Sequence, residues 1–220
     1  MAGAQPRSVQ AQATRAALVR AARRLFVEKG YHATGTEEIV AAAGVGTRGA
    51  LYHHFADKQA LFLAVFEAVE EDLIGSARPG AHPHDAFARL RAGLLAFLDA
   101  SSTPEVQRII LLEGPAVLGW QTWRSLEEKY GLGAIQALLA QAIDEGSVRR
   151  QPLGALSHLL LAAVDEAALY IANAENGPAA RSEAALAVDG LLSGIRVDTG
   201  RVGPPSSRGP KPAAGRRTTR

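Results

Sequence analysis

The sequence predicts an all-α protein of about nine helices, a compact N-terminal three-helix head on a longer C-terminal helical bundle. Three observations lead there. The chain of 220 residues contains 43 alanines and is only 5% aromatic, a composition that favours helices because alanine gives up no side-chain entropy in one. Apolar residues recur at helical spacing along nearly the whole chain, with no alternating strand pattern and no internal repeat. Gly, Pro and Thr-Gly punctuation falls at intervals of a short helix in the first 60 residues and of longer helices afterwards.

Residues 1–13 are polar and predict a flexible arm. Thr14 is the expected N-cap of the first helix, whose apolar positions are Leu18, Ala21, Ala22, Leu25 and Phe26 and whose stop is Gly30. Thr34-Gly35-Thr36-Glu37 fits a capping box for a second helix through Ile39, Val40 and Ala43. Gly44, Val45 and Gly46 make a turn. Thr47 then caps a short third helix carrying Leu51, Tyr52 and Phe55, and Asp57 caps a long fourth helix through Leu61, Phe62, Val65, Phe66, Val69 and Leu73.

A Pro/Gly/His loop at 78–84 is the first break in composition, and five more helical patterns follow it. The first carries Phe87, Leu90, Leu94, Phe97 and Leu98. The second opens at Thr103-Pro104 and carries Val106, Ile109, Ile110 and Leu112. The third runs over about 123–145, with Gly131 and Gly133 as points of kinking or splitting. The fourth covers 153–173 and the last about 178–196. Residues 198–220, rich in Gly, Pro, Ser and Arg, predict a disordered basic tail. The expected domains are therefore 1–13, 14–56, 57–197 and 198–220.

Charge is distributed unevenly. Residues 1–60 hold eight basic against four acidic side chains, 61–200 ten against eighteen, and 201–220 six against none. A basic head on an acidic body points to the head as the part that meets a polyanion, although such a balance is also common on ordinary surfaces. The absence of cysteine excludes a disulfide framework, thiolate zinc sites and a cysteine nucleophile. With no apolar run of about 18 residues and no uninterrupted N-terminal apolar segment, neither a membrane span nor a secretory leader is expected, and a cytoplasmic protein is. Adjacent His53 and His54 point about 100° apart on a helix and cannot chelate together. His82 and His84 read as a solvated loop. No metal, cofactor or catalytic constellation is expected.

Helices two and three, joined by a short glycine-containing turn, have the form of a helix-turn-helix. The third carries Thr47, Arg48, Gly49, Tyr52, His53 and His54, residue types suited to DNA. Small residues at its start permit close approach, and Arg48 has the fork geometry for guanine O6 and N7. Lys58, an ammonium in the first turn of the fourth helix, opposes the helix dipole unless an anion sits there too.

The run G-Y-H-A-T-G-T-E-E-I-V-A-A-A-G-V, followed by R-G-A-L-Y-H-H-F-A-D-K and ending at Lys58, resembles the DNA-binding domain of the tetracycline-repressor (TetR) family. The resemblance covers roughly residues 14–66. It implies a three-helix DNA-binding head on a divergent helical body that binds a small molecule and dimerises through its last two helices. It assigns Thr36 to a phosphate contact, Thr47, Arg48 and Gly49 to the leading edge of the recognition helix, Tyr52 and His53 to base and phosphate contacts, and Lys58 to a phosphate; Leu51 and Phe55 match core positions. The sequence departs from the pattern at two places. Six residues, 46–51, separate Val45 from Tyr52 where the family usually has five, and the additional one is placed at Gly46. Gly35 stands where Ser or Thr is common.

In the body, Glu113 reads as either a pocket residue or a turn residue. Trp120 and Trp123 read as core or as pocket wall. Phe97, Tyr130, His158, Glu166 and Tyr170 complete the candidate ligand residues, each with a structural reading beside it. The alanine-rich last two helices, with Ala162, Ala163, Ala167, Ala168 and Ala187, suit either a dimer interface or a buried intramolecular pair. The expected function is a homodimeric regulator that binds double-stranded operator DNA, a repressor released by an unidentified small-molecule effector. The alternative is an effector-independent repressor or architectural DNA-binding protein.

Overall fold

The computed structural model describes residues 5–76 and 85–197; the loop at 78–84 with its two histidines and the basic tail at 198–220 lie outside the described residues. Nine continuous helical stretches make up the described chain, two of which contain a π-helical turn.

Helix α1 spans Gln5–Lys29. It begins well before the cap expected at Thr14, whose hydroxyl instead donates to the Gln10 carbonyl within the helix at 3.0 Å. The polar stretch 5–13, read from sequence as an arm, is helical here. It is built largely of Gln, Ala and Arg, which give up little freedom in a helix. Gly30 ends α1 with φ +85°, and its N–H returns to the Phe26 carbonyl at 2.9 Å.

Helix α2 (Thr36–Ala43) is preceded by Gly35 and has no side-chain cap. The capping box expected at Thr34 does not form. Thr34 is buried, and its hydroxyl donates to the Gly30 carbonyl at 2.7 Å, satisfying the end of α1 rather than the start of α2. Gly44 and Gly46 both adopt positive φ (+67° and +77°), so the turn absorbs the residue placed at Gly46. Helix α3 (Arg48–His54) follows, with Thr47 extended at its N-cap position but making no side-chain cap bond. Helix α4 (Lys58–Ser76) starts where Asp57 Oδ1 accepts the Ala60 N–H at 2.7 Å.

In the body, α5 spans Ala86–Ala100. The next stretch is helical from Pro104, widens to π geometry over Val106–Glu113 and continues as α6 (Gly114–Leu118). Helix α7 (Trp120–Glu127) passes through a second π-helical turn, Glu128–Leu132, into α8 (Gly133–Asp144). That turn lies where Gly131 and Gly133 break the helical pattern of the sequence. Helices α9 (Leu153–Ala172) and α10 (Gly177–Ile195) close the chain, and one antiparallel bridge, Val148 to Arg196, ties the end of α8 to the end of α10. Helix α9 is long and apolar enough to cross a membrane by composition alone. Its Leu156, Leu160, Leu161, Val164 and Ala168 are buried in the protein, with Asp165 among them.

Two apolar cores result. The first joins Leu18, Phe26, Ile39, Leu51, Phe55 and Phe62 of the head to Ile109, Ile110, Trp123 and Leu126 of the body. The second is shared by α5, α8, α9 and α10. The first core is packed tightly at the seam: a Cβ at Gly114 would lie 2.9 Å from both Phe66 and Trp123. Only glycine admits that approach.

Candidate nucleic-acid interface and body cavity

The head displays its polar residues rather than packing them. Leu51 and Phe55 anchor α3 in the core, while Thr47, Arg48, Gly49, Tyr52 and His53 are exposed and His54 is half-buried. The Arg48 guanidinium lies 2.7 Å from Glu37 on α2 and over the Tyr52 ring. Arg48 and Thr36 together lower the Tyr52 pKa, so the two helices hold Thr36, Arg48 and Tyr52 as one surface. An arginine held by an exposed carboxylate and by the ring and hydroxyl of an exposed tyrosine can exchange those partners for phosphate or a base edge, because such surface pairs contribute little.

Lys58 has partners that its sequence position did not reveal. Its ammonium donates to the Tyr31 carbonyl at 2.8 Å and the Thr34 carbonyl at 3.0 Å, and it sits 4.1 Å from the Tyr31 ring centre. These carbonyls and the ring offset the unfavourable dipole at the start of α4. Lys58 therefore pins the α1–α2 loop to the start of α4.

Glu113 ends the Val106–Glu113 stretch, lies 3.8 Å from Arg108 and faces the head. Both its oxygens accept the Tyr31 N–H, at 2.9 and 3.0 Å. A Cβ at Gly30 would fall 2.7 Å from Glu113 Oε1, the movable end of a side chain, so it is the positive φ that calls for glycine there. Tyr31 is thus gripped from two sides: its N–H by the body through Glu113, its carbonyl by α4 through Lys58.

The body contains a cavity of about 360 Å³, within the usual range of small-molecule sites, roughly 300–1,000 Å³. Phe97 and Tyr130, both sequence candidates, line it. The other six lie elsewhere. Trp123 is buried in the seam, with Nε1 donating to the Ile110 carbonyl at 3.0 Å, and Trp120 stacks against it from the surface, 65% exposed. Glu113 is at the head. His158 faces Glu128 on the outside at 4.0 Å, Glu166 is exposed on α9, and the Tyr170 hydroxyl donates to Glu183 at 2.6 Å between α9 and α10.

Sequence reasoning missed the polar residues of the cavity, Glu70, Arg89, Glu127 and Asp165. Burial raises Glu127 far above the ordinary carboxylate range, with the neighbouring Glu70 and Asp165 adding to it. Burial also raises Glu70. It raises Asp165 too, against the lowering effect of Arg124, which lies 3.2 Å away. A signal was present. Glu70 shares the inner stripe of α4 with Phe66 and Leu73, and Asp165 that of α9 with Leu161 and Ala168, at i−4 and i+3. Glu166, chosen in its place, points about 100° away.

Comparison with known proteins agrees with this architecture. Residues 18–65 match the model of bacterial regulatory proteins of the tetR family, and residues 87–195 match the tetracyclin repressor-like C-terminal domain. Among solved structures, a TetR-family transcriptional regulator from Pectobacterium atrosepticum is 33% identical, covers 86% of this chain and 97% of its own, and superposes with a TM-score of 0.75. The HTH-type transcriptional regulator AcrR of Shigella flexneri is 36% identical over 104 residues, 46% of this chain and 48% of AcrR. The HTH-type transcriptional activator FasR of Mycolicibacterium smegmatis is 41% identical over 86 residues, 39% of each chain. The chain thus spans about half the length of AcrR and less of FasR. With both halves of the fold matched in order and a solved relative aligned over nearly its whole length, the chain belongs to the TetR family of transcriptional regulators.

Proposed function

We propose that the protein is a cytoplasmic, homodimeric repressor that binds operator DNA through α3 and is released by a small molecule held in the body cavity. The observation that carries the DNA reading is the exposed surface of Thr47, Arg48, Gly49, Tyr52 and His53 above a closed core. With Thr36, His54 and Lys58 at its edges, it supplies donors for phosphate and one bidentate fork for a guanine. One such helix reads few base pairs, and two on a two-fold axis double the readout when spaced about 34–36 Å apart.

The partner copy is assigned to α9 and α10. Leu159, Tyr170, Leu186 and Leu191 are large and exposed on these two helices, while the opposite stripe of α10, Ala180, Ala184, Val188 and Leu192, is buried. An apolar face left outside a packed bundle fits a second copy of the same helices.

Effector release would work through two levers. Glu70 and Leu73 on α4 line the cavity, and the same helix begins at Lys58, bonded to the α1–α2 loop. Glu113 grips Tyr31 from the body. A ligand that tilts α4 or the Val106–Glu113 turn moves both heads and changes their spacing, and it acts only in so far as it binds one state better.

Selection of duplex DNA from a random pool by the purified protein tests the reading. A two-fold symmetric consensus is expected, and recovery of no enriched sequence overturns it. Glu113→Gln keeps shape but weakens the grip on Tyr31, and is expected to reduce effector-induced release while sparing DNA affinity without effector. Equal release in both proteins, read by fluorescence anisotropy, would remove Glu113 from the coupling.

A further inference from the structure

The walls of the body cavity carry a charge arrangement that its apolar lining leaves unused. Glu70 from α4, Glu127 from α7 and Asp165 from α9 converge on it. Each is more than nine-tenths buried, at 6%, 5% and 5% exposure. Each keeps a buried oxygen without a hydrogen-bond partner: Oε1 of Glu70, Oε1 of Glu127 and Oδ1 of Asp165. A buried acceptor left unsatisfied is costly, and a buried unpaired charge more so. Burial raises all three, and Glu70 and Asp165 add to the rise at Glu127, so Glu70 and Glu127 hold a proton as a pair rather than carry two charges in one wall.

Most of the surrounding charges have partners of their own. Arg124 donates to Asp165 at 3.2 Å and lies 3.8 Å from Glu128, whose other neighbour is His158. Arg89 on α5 also lines the cavity; its Nη2 donates to Gln141 on α8 at 2.5 Å, while its buried Nε has no hydrogen-bond partner among the described residues. Lys129 binds Glu67 at 3.0 Å and the Tyr130 hydroxyl at 3.1 Å on the outer side. Arg124 pairs with Asp165, and its charge also favours the ionised form of Glu127, but neither Glu70 nor Glu127 forms an ion pair among the described residues. The rest of the wall is hydrocarbon, including Leu94, Phe97, Ile135, Leu138 and Val164.

We propose that this cavity takes an organic cation, a protonated amine on an apolar body, whose ammonium sits against the unpartnered oxygens of Glu70 and Glu127. The ammonium provides the donors that the orphaned oxygens lack, and its charge stabilises both carboxylates at once. Binding then releases about one proton: protein holding the pair's proton plus ammonium gives the complex plus a free proton. A neutral alcohol satisfies one oxygen and leaves the proton in place, whereas a carboxylate is repelled. The inference rests on reading the body as a small-molecule receptor and names the chemistry of its ligand.

The test is isothermal titration calorimetry of the full chain near neutral pH with 4-phenylbutylammonium, 4-phenylbutan-1-ol and 4-phenylbutanoate, in two buffers of different ionisation enthalpy. The ammonium is expected to bind at least about tenfold more tightly than the alcohol, with release of about one proton. Glu70→Gln and Glu127→Gln, which preserve shape, are expected to lose that preference while keeping the alcohol affinity. The proton count in the unaltered protein does not depend on either variant folding. Equal or tighter binding of the alcohol or the carboxylate, binding of none of the three, or unchanged ammonium affinity in both variants would overturn the proposal. DNA affinity, measured in parallel on the selected duplex, separates it from the reading on which it rests. If the ammonium binds with proton release and DNA affinity is unchanged, the cation site stands and effector release falls. If the alcohol alone binds and releases DNA, the cation site falls and effector release stands.

Discussion

The head and the body place their polar residues in opposite ways. In the head, Arg48, Tyr52 and His53 stand in solvent on a seven-residue helix anchored by Leu51 and Phe55. In the body, Glu70, Glu127 and Asp165 are buried on the apolar stripes of three helices far apart in sequence. Exposed groups keep nearly ordinary energetics until a partner arrives, so they suit recognition of a large, charged, hydrated polymer. Buried acids are raised in pKa and under-bonded before any partner arrives, which suits a ligand small enough to be enclosed. The two regions meet at a seam where Trp123, Phe66 and Gly114 pack closely and Glu113 holds Tyr31.

The seam supplies the largest expected effect. Trp123→Ala removes a buried ring and its bond to the Ile110 carbonyl, and should destabilise the protein by about 3–5 kcal/mol in denaturant unfolding. Trp120→Ala, on the exposed neighbour, should stay within about 0.5 kcal/mol. Similar losses for both would mean that head and body do not share a core through Trp123.

Next in size is the pH dependence carried by the buried acids. The folded protein holds a proton on the Glu70–Glu127 pair that the unfolded chain gives up near 4.5, and burial keeps it there well above that value. Stability from this pair is fully present below the unfolded value and is lost as pH rises from there through the raised folded one. Thermal melts should therefore fall as pH rises above the ordinary carboxylate range. Glu127→Gln should flatten the decline, and an equally steep decline in that variant would place the titration elsewhere.

In the head, Arg48→Ala should leave folding unchanged, since its partners are exposed. It should relax preference at one or two base pairs of the selected site by about tenfold. A retained preference at every position would take Arg48 out of base readout. The smallest effect is expected at Lys58. Lys58→Met should weaken binding to all sequences alike and flatten the salt dependence by about one phosphate contact. An unaltered slope would leave Lys58 with its two loop carbonyls alone.

The head was legible because its signals are local. The spacing of Leu18, Leu25 and Phe26, the Gly44–Gly46 turn and the short polar helix after it lie within 60 residues, and backbone sterics and helical periodicity act over that distance. Misreadings arose even there when a local signal met a competing partner. Thr34 turned inward to the Gly30 carbonyl instead of capping α2, and Thr14 disappeared into a helix that starts at Gln5.

Composition, periodicity and glycine placement were enough to specify helices and their order, because each depends on bonds and sterics between near neighbours in the chain; the residues that α3 offers to solvent followed from the family resemblance. The meeting of Glu70 with Glu127 and Asp165, the grip of Glu113 on Tyr31 and the hold of Lys58 on two carbonyls depended on how helices rotate and cross when they pack. A rotation of one residue, about 100°, separates Asp165 in the cavity wall from Glu166 in solvent, and the burial of neighbouring apolar side chains sets that angle.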